Sequence, residues 1–121
     1  DTLIPSITPQ NIIPEFKQII KLSKNFVEHK GAKFYFVYFP TQSRYLHTFI
    51  DDKNINNYNK IIQIVEDLNI PIIDLHKELF QKHKNPLSMF PLFSLSGHMN
   101  VLGYKLTSET ILKKINELEN Q

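Results

Sequence analysis

The sequence lacks cysteine and tryptophan, and it has three glycines in 121 residues. Without cysteine the chain can form no disulfide, no thiolate metal site and no cysteine nucleophile. Gly31, Gly97 and Gly103 are too far apart to form the glycine-rich loops in which backbone N–H groups cradle a phosphate. These absences exclude thiol enzymes and the usual nucleotide-binding loops.

The sequence also lacks a strong excess of charge and any long apolar run. Fourteen basic residues face twelve acidic ones, the net charge is +2, and Arg44 is the single arginine. Nucleic-acid sites usually combine clustered positive charge with arginine forks, so we predict no nucleic-acid partner. No run approaches the ~20 apolar residues of a membrane-spanning helix, so we predict no membrane span.

What the sequence does have is apolar residues in helix and strand patterns. Spacings of three and four predict helices over 9–30 (beginning at Thr8–Pro9 or, failing that, near Ile13–Pro14), from 54 or 57 to 69, over 75–83 and over 101–118. Two runs rich in aromatic and β-branched residues, 34–39 and 70–74, predict strands. Residues 41–45 and 85–97 are predicted to be irregular.

The residues that end these helices can also be predicted. Gly31 and Asn69 are expected to end the first two helices, since both tolerate the left-handed conformation found at helix C-termini. Asn100 is expected to cap the last helix. The side chains of that helix expected to face inwards are Leu102, Leu106, Ile111, Ile115 and Leu118.

The length predicts one α/β unit over residues 1–121. The run 34–39 has no alternating polar residues, which is typical of an interior strand of a parallel sheet with both faces buried. A helix between the two strands predicts a right-handed parallel crossover. An interior strand needs two neighbours and the sequence supplies one, so we expect an upstream segment or another chain to complete the sheet.

The stretch from Phe93 to Tyr104 carries the candidate chemistry, and it reads FSLSGHMNVLGY. If Asn100 caps the last helix, His98 lies just outside the positive end of that helix. A positive field disfavours an imidazolium and favours a neutral ring that can accept a proton. The spacing therefore predicts His98 as a general base.

The block from Gly97 to Tyr104, which runs into an amphipathic helix, resembles the last conserved block of SGNH/GDSL-type hydrolases. The segments 36–45 and 69–75 resemble the strands that precede this block, so the likeness covers most of the chain from Phe16 to Leu118. It implies a three-layer α/β/α sandwich with a parallel sheet, of the flavodoxin-like SGNH hydrolase type. Residues 1–121 would form the C-terminal part of that larger, incomplete domain.

The resemblance also implies a serine esterase, or an O-acyl (acetyl) hydrolase or transferase, that acts on a small ester or an acylated carbohydrate. In such enzymes a serine attacks the ester carbonyl, a C-terminal histidine takes its proton, and N–H donors hold the oxyanion. His98 matches that histidine. The family's Gly-Asp-Ser nucleophile block and Gly-x-Asn-Asp oxyanion block are absent from the sequence, so we expect this chain alone to be inactive.

The chain departs from the family pattern at the acid that orients the histidine. Leu95 and Ser96 occupy the positions where the family has an aspartate, so Ser96 is the candidate for orienting His98. Candidate substrate-binding residues, three of them after the first strand, are Thr41, Gln42, Ser43 and Asn100. The missing acid leaves open a catalytically inactive α/β module that binds a partner or a carbohydrate. A flavodoxin-like fragment is disfavoured because no phosphate loop is present.

No residue pattern indicates a cofactor, and none is predicted. His76 and His83 could share one face of a predicted helix, but no third ligand accompanies them in the pattern. Zinc sites in proteins are built from three or four protein ligands, so we predict no metal site.

Overall fold

A computed structural model describes the backbone of residues 9–46, 52–91 and 98–121. Side chains are described from residue 13 in the first of these ranges and from residue 56 in the second. The elements are α1 (Pro9–His29), β1 (Phe36–Tyr38), α2 (Ser43–Leu46), α3 (Asp52–Asp67), β2 (Ile72–Asp74), a π-helix (His76–Phe80), a 3₁₀-helix (Pro86–Met89) and α4 (Val101–Glu119). The mixed helix and strand content confirms the predicted α/β class.

The two strands form a parallel pair, as their patterns predict. Val37 lies opposite Ile73, and Tyr38 lies opposite Asp74. The chain passes from β1 to β2 through α2 and α3, which matches a β-α-β unit. Both strands therefore end at the same edge of the sheet.

The first strand is shorter and less buried than predicted. It covers three residues instead of 34–39, each of them half-buried, and the side chain of Phe39 is 49% exposed. In the described part of the chain β1 has a neighbour on one edge and none on the other. The prediction of two buried faces is wrong for the described residues: Phe36 meets Phe16 of α1 and Val37 packs against the core, but both side chains are only half-buried.

The predicted helix ends are confirmed at two places. After α1, Gly31 has φ +76°, its N–H donates to the carbonyl of Glu28 (2.9 Å), and Ala32 N–H donates to Val27 (3.2 Å). After α3, Asn69 has φ +53° and the same two bonds recur. Both are Schellman caps, which need a residue that accepts a positive φ. Thr8, the predicted start of α1, lies outside the described residues.

Three local predictions are wrong. Ser43, Arg44 and Tyr45, which fall in the predicted loop 41–45, belong to the short helix α2. The helix predicted over 75–83 is a five-residue π-helix, closed by a bond from the N–H of Gln81 to the carbonyl of His76 (2.8 Å). Leu102, expected to face inwards, is 42% exposed, because in the first turn of α4 it is Gly103 that packs inwards, against Met89.

The core lies between β2, the π-helix, the 3₁₀-helix and α4. Its buried cluster consists of Ile73, Leu75, Leu79, Phe80, Met89 and Phe90. Four of the five residues predicted to face inwards from α4 pack against it, namely Leu106, Ile111, Ile115 and Leu118. Within the described ranges, no helix has the length and apolar character needed to cross a bilayer.

Candidate functional site

The carboxyl ends of the two parallel strands meet at one edge of the sheet. Tyr38 ends β1, Asp74 ends β2, and the two residues are partners in the register. In open α/β sheets ligands bind outside this edge, where the loops leave the strands. Polar and aromatic side chains from α2, α3 and the start of the π-helix gather there. We call five of them the edge cluster, and they are Arg44, Tyr45, Tyr58, Asp74 and His76.

Asp74 connects residues of the edge cluster through three hydrogen bonds. It is 8% exposed; its Oδ1 accepts hydrogen bonds from the N–H groups of His76 (3.0 Å) and Lys77 (3.3 Å), and its Oδ2 accepts one from the Tyr58 hydroxyl. A buried carboxylate is tolerated when its oxygens are hydrogen-bonded in this way. Both oxygens are therefore engaged in fixing the start of the π-helix and the ring of Tyr58.

The hydroxyl of Tyr58 stays protonated. Burial, followed by the hydrogen bond to Asp74 and the charge of that carboxylate, raises the pKa of Tyr58 well above its ordinary value. The ring also meets Tyr38 edge to face, with centroids 5.0 Å apart. The Tyr58 ring is thus held in a fixed position by the bond from its hydroxyl to Asp74, and we call this ring the aromatic platform.

Tyr45 and His76 form the second pair of the edge cluster. The Tyr45 hydroxyl lies 2.8 Å from Nδ1 of His76, and the Tyr45 ring stacks on Phe80 at 5.3 Å. Burial raises the pKa of Tyr45 well above its ordinary value. Burial, and then the positive charge of Arg44, lowers the pKa of His76. A neutral His76 that accepts this bond from the Tyr45 hydroxyl carries its ring proton on Nε2.

Arg44 completes the edge cluster. Its guanidinium carbon lies 4.7 Å from the centroid of the Tyr58 ring, within the range of a cation–π contact. Its side chain makes no ion pair with a carboxylate in the part of the chain that the structure describes. Arg44 is half-buried, so the guanidinium is held by the ring without being enclosed.

Three predicted substrate-binding residues lie beside the edge cluster, in the segment that leads from β1 into the first residue of α2. The hydroxyls of Thr41 and Ser43 are 3.1 Å apart, and both residues are exposed. Gln42 is half-buried, and its carbonyl accepts a bond from the N–H of Tyr45 (3.0 Å). The structure thus brings Thr41, Gln42 and Ser43 to the edge where ligands bind in this class of fold, and contact with a substrate stays a prediction.

Asn100 caps α4, as predicted. Its Oδ1 accepts a bond from the N–H of Gly103 (2.9 Å), and its Nδ2 donates to the carbonyls of Ser88 (2.8 Å) and Phe90 (3.0 Å). Its own N–H donates to Met89 (2.9 Å). Because both amide hydrogens are used on the main chain, the side chain has a structural role, and its contact with substrate stays a prediction.

Gly103 allows the first turn of α4 to pack closely against the backbone of Met89. A Cβ at this position would lie 2.3 Å from the carbonyl oxygen of Met89, far inside van der Waals contact. The first turn of α4 therefore rests directly on the backbone at residue 89.

His98 is exposed and lies two residues before the cap of α4, where the sequence places it. Ser96, its candidate orienting residue, lies outside the described residues. In the described ranges, no group of three histidine, aspartate or glutamate side chains is arranged to hold a metal ion. His83 is engaged locally, since its Nδ1 accepts a bond from the N–H of Asn85 (3.1 Å).

Comparison with protein-family models, with curated proteins and with solved structures gave no match. The interpretation of the site therefore rests on its own geometry.

The edge cluster is the part of the site that sequence reasoning missed. The signal was present, because Arg44 and Tyr45 follow β1 while Asp74 and His76 end or follow β2. Applying the carboxyl-edge rule to both strands would have placed these four residues together. Tyr58 gives no such signal, since its spacing on α3 marks it as a core residue.

Proposed function

We propose that this chain is the C-terminal part of an SGNH-type serine hydrolase or acyl-transferring domain in which His98 is the general base. The observation that carries the proposal is the exposed His98 two residues before the Asn100 cap of α4, attached to a parallel β-α-β unit. The Asn100 and Gly103 contacts fix this turn against residues 88–90, so the base would have a rigid support.

In this mechanism a serine from outside these 121 residues attacks the carbonyl carbon of an ester. His98 takes the serine proton as the new C–O bond forms, and it returns that proton to the leaving alkoxide as the old C–O bond breaks. A water molecule, or an acceptor hydroxyl in a transferase, then releases the acyl group by the same steps. The oxyanion donors would also lie outside the chain, since the sequence has no Gly-x-Asn-Asp block.

The orienting group for His98 would be the hydroxyl of Ser96 or a main-chain carbonyl. Asp74 is not proposed for this role, because its Oδ1 and Oδ2 already accept three hydrogen bonds within the edge cluster. A dyad of serine and histidine, with a neutral group holding the imidazole, is the arrangement we propose.

The three-layer α/β/α sandwich belongs to the same proposal. The unpaired edge of β1 would receive a strand from an upstream segment or from another chain. The apolar side chains of Ile19, Leu22 and Phe26 on α1, 60 to 67% exposed, support a further layer beside this helix.

The test is the turnover of p-nitrophenyl acetate by the full-length protein and by its His98→Ala variant. We expect a loss of at least ~100-fold in kcat/KM for His98→Ala, the usual contribution of a general base. His29→Ala is the matched control, since His29 is also an exposed histidine but lies at the end of α1. Equal rates for the wild type and His98→Ala would refute the role of His98.

The alternative is a catalytically inactive α/β module that binds a partner or an acylated carbohydrate. It is favoured by Leu95 and Ser96, which stand where the family keeps its aspartate. A full-length sequence without a Gly-Asp-Ser segment after a strand, together with no turnover of the ester, would support this module over the enzyme.

A further inference from the structure

Asp74 and Nδ1 of His76 are both engaged inside the edge cluster. Both oxygens of Asp74 accept bonds from the Tyr58 hydroxyl and from the backbone of the π-helix. Nδ1 of His76 is paired with the Tyr45 hydroxyl, 2.8 Å away. A ligand that needs to donate hydrogen bonds would find these acceptors already engaged.

Two other groups of the edge cluster face outwards. Within the described residues Nε2 of His76 has no hydrogen-bond partner, and no buried side-chain nitrogen or oxygen there lacks one. It follows that Nε2 reaches the molecular surface. The guanidinium of Arg44 is half-buried and lies over the Tyr58 ring, so its N–H groups are available beyond that ring.

These two donors are supported by the same aromatic platform. The Tyr58 centroid lies 4.7 Å from the guanidinium carbon of Arg44 and 5.9 Å from the His76 ring. The platform is fixed by its hydrogen bond to Asp74, and His76 is fixed by Tyr45. Arg44 is also the one arginine among fourteen basic residues, and arginine differs from lysine in presenting a planar fork that fits two oxygens at once.

We propose that Arg44 and His76 form an oxyanion-binding site that takes the carboxylate or phosphate group of a small molecule at the carboxyl ends of β1 and β2. The guanidinium fork binds two oxygens of the anion, and Nε2–H of His76 donates to the same group or to a neighbouring oxygen. The exposed hydroxyls of Thr41 and Ser43, which precede Arg44, lie at the border of this site. The site does not depend on the hydrolase activity proposed above.

The test is a titration of the full-length protein, labelled with ¹⁵N in its histidines, with inorganic phosphate and separately with acetate. We expect the imidazole signals of His76 to show Nε2 protonated in the free protein and to shift in a saturable way with the anion. The two titrations distinguish the sources of the oxyanion, since the one with the lower Kd identifies the preferred group.

Three variants decide whether the binding is specific. Arg44→Gln should raise the Kd by about tenfold or more, as expected for the loss of a charge-assisted pair of bonds. Arg44→Lys keeps the charge but loses the fork and should also weaken binding. Lys77→Gln removes an exposed charge beside His76 and should leave the Kd within about twofold of the wild type.

Two results would overturn the proposal. One is a shift that never saturates in the wild-type protein, which needs no variant and is independent of folding. The other is an equal effect of Arg44→Gln and Lys77→Gln in folded protein, which would mean general attraction between charges. Circular dichroism of each variant shows whether it is folded, and Arg44→Lys decides the matter if Arg44→Gln unfolds.

Discussion

At the scale of single residues, Asn100 links two pieces of backbone, the first turn of α4 and residues 88–90. Its side chain bonds to the first turn of α4 and to the carbonyls of Ser88 and Phe90, while its N–H bonds to Met89. A helix cap alone would need one of these bonds. Asn100 therefore caps the N-terminus of α4 and also joins α4 to the 3₁₀-helix.

Replacing Asn100 by alanine should reduce the free energy of unfolding by about 2–3 kcal/mol, because the cap and two side-chain bonds to carbonyls are lost together. Urea unfolding followed by circular dichroism measures the change. Asn116→Ala, at an exposed position inside the same helix, is the control and should change the stability by less than about 0.5 kcal/mol. Equal losses in the two variants would show that the bonds to Ser88 and Phe90 contribute nothing.

Single residues also explain what could be predicted from the sequence. The helix ends at Gly31, Asn69 and Asn100 form through bonds to nearby residues of the chain, and the predictions of all three are confirmed. The contacts of Arg44 with Tyr58 and of Tyr45 with His76 join residues 14 and 31 positions apart. Such pairs depend on how the strands bring the elements together, which local patterns do not reveal.

At the scale of elements, an ion pair between Glu78 and Lys114 links the π-helix to α4. Glu78 accepts a bond from Lys82 (3.2 Å) and lies 3.4 Å from Lys114 of α4. Burial raises the pKa of Glu78, but the bond to Lys82 and the charge of Lys114 outweigh it, so the pKa is lowered from 4.5. The π-helix is thereby held to α4 when Glu78 is ionised.

The ion pairs of Glu78 predict that the free energy of unfolding depends on pH. The pKa of Glu78 is lower in the folded than in the unfolded chain, so its stabilisation is present above pH 4.5 and is lost as the pH falls through the folded pKa. Glu78→Gln should be less stable than the wild type by about 0.5 kcal/mol at neutral pH, the usual size for a partly exposed pair. The difference should vanish well below pH 4.5.

Thermal unfolding of wild type and variant over a series of pH values measures this effect. Glu109→Gln, at an exposed position on α4, is the matched control and should run parallel to the wild type throughout. A gap between wild type and Glu78→Gln that stays constant into acid would contradict the role of its ionised carboxylate.

At the scale of the whole molecule, the described residues leave a strand edge and apolar side chains of α1 uncovered. The second edge of β1 has no partner within the described residues, and Ile19, Leu22 and Phe26 of α1 are exposed. The sequence indicated an interior strand because 34–39 is continuously apolar, and the α/β class followed from it. The number of layers in the fold could not be predicted from this run, since it depends on which segments pack around β1.

Hydrogen exchange of the Val37 amide tests whether a further strand pairs with the free edge of β1. Phe36 N–H donates to the carbonyl of Pro71 (2.9 Å), so it points towards β2, and the main-chain groups of Val37 point to the other edge because successive residues alternate. If a strand from elsewhere pairs with this edge, the Val37 amide should be protected in the full-length protein and should exchange rapidly in the 121-residue chain.

The Phe36 amide is the internal control, since it should be protected in both samples. Protection of Val37 that is equally low in the full-length protein would show that no strand occupies this edge, and the proposal that a further strand completes the sheet would then be wrong.

The π-helix has a consequence for tracing the ancestry of the chain. Its closing bond spans five residues, from Gln81 to His76, where an α-helical turn spans four. A relative with an ordinary α-helical turn would therefore reach the equivalent of Gln81 one residue earlier. An alignment without a gap between Asp74 and Gln81 would displace every later position by one, including His98 and Asn100. Any search for distant homologues should allow a single-residue insertion at this point.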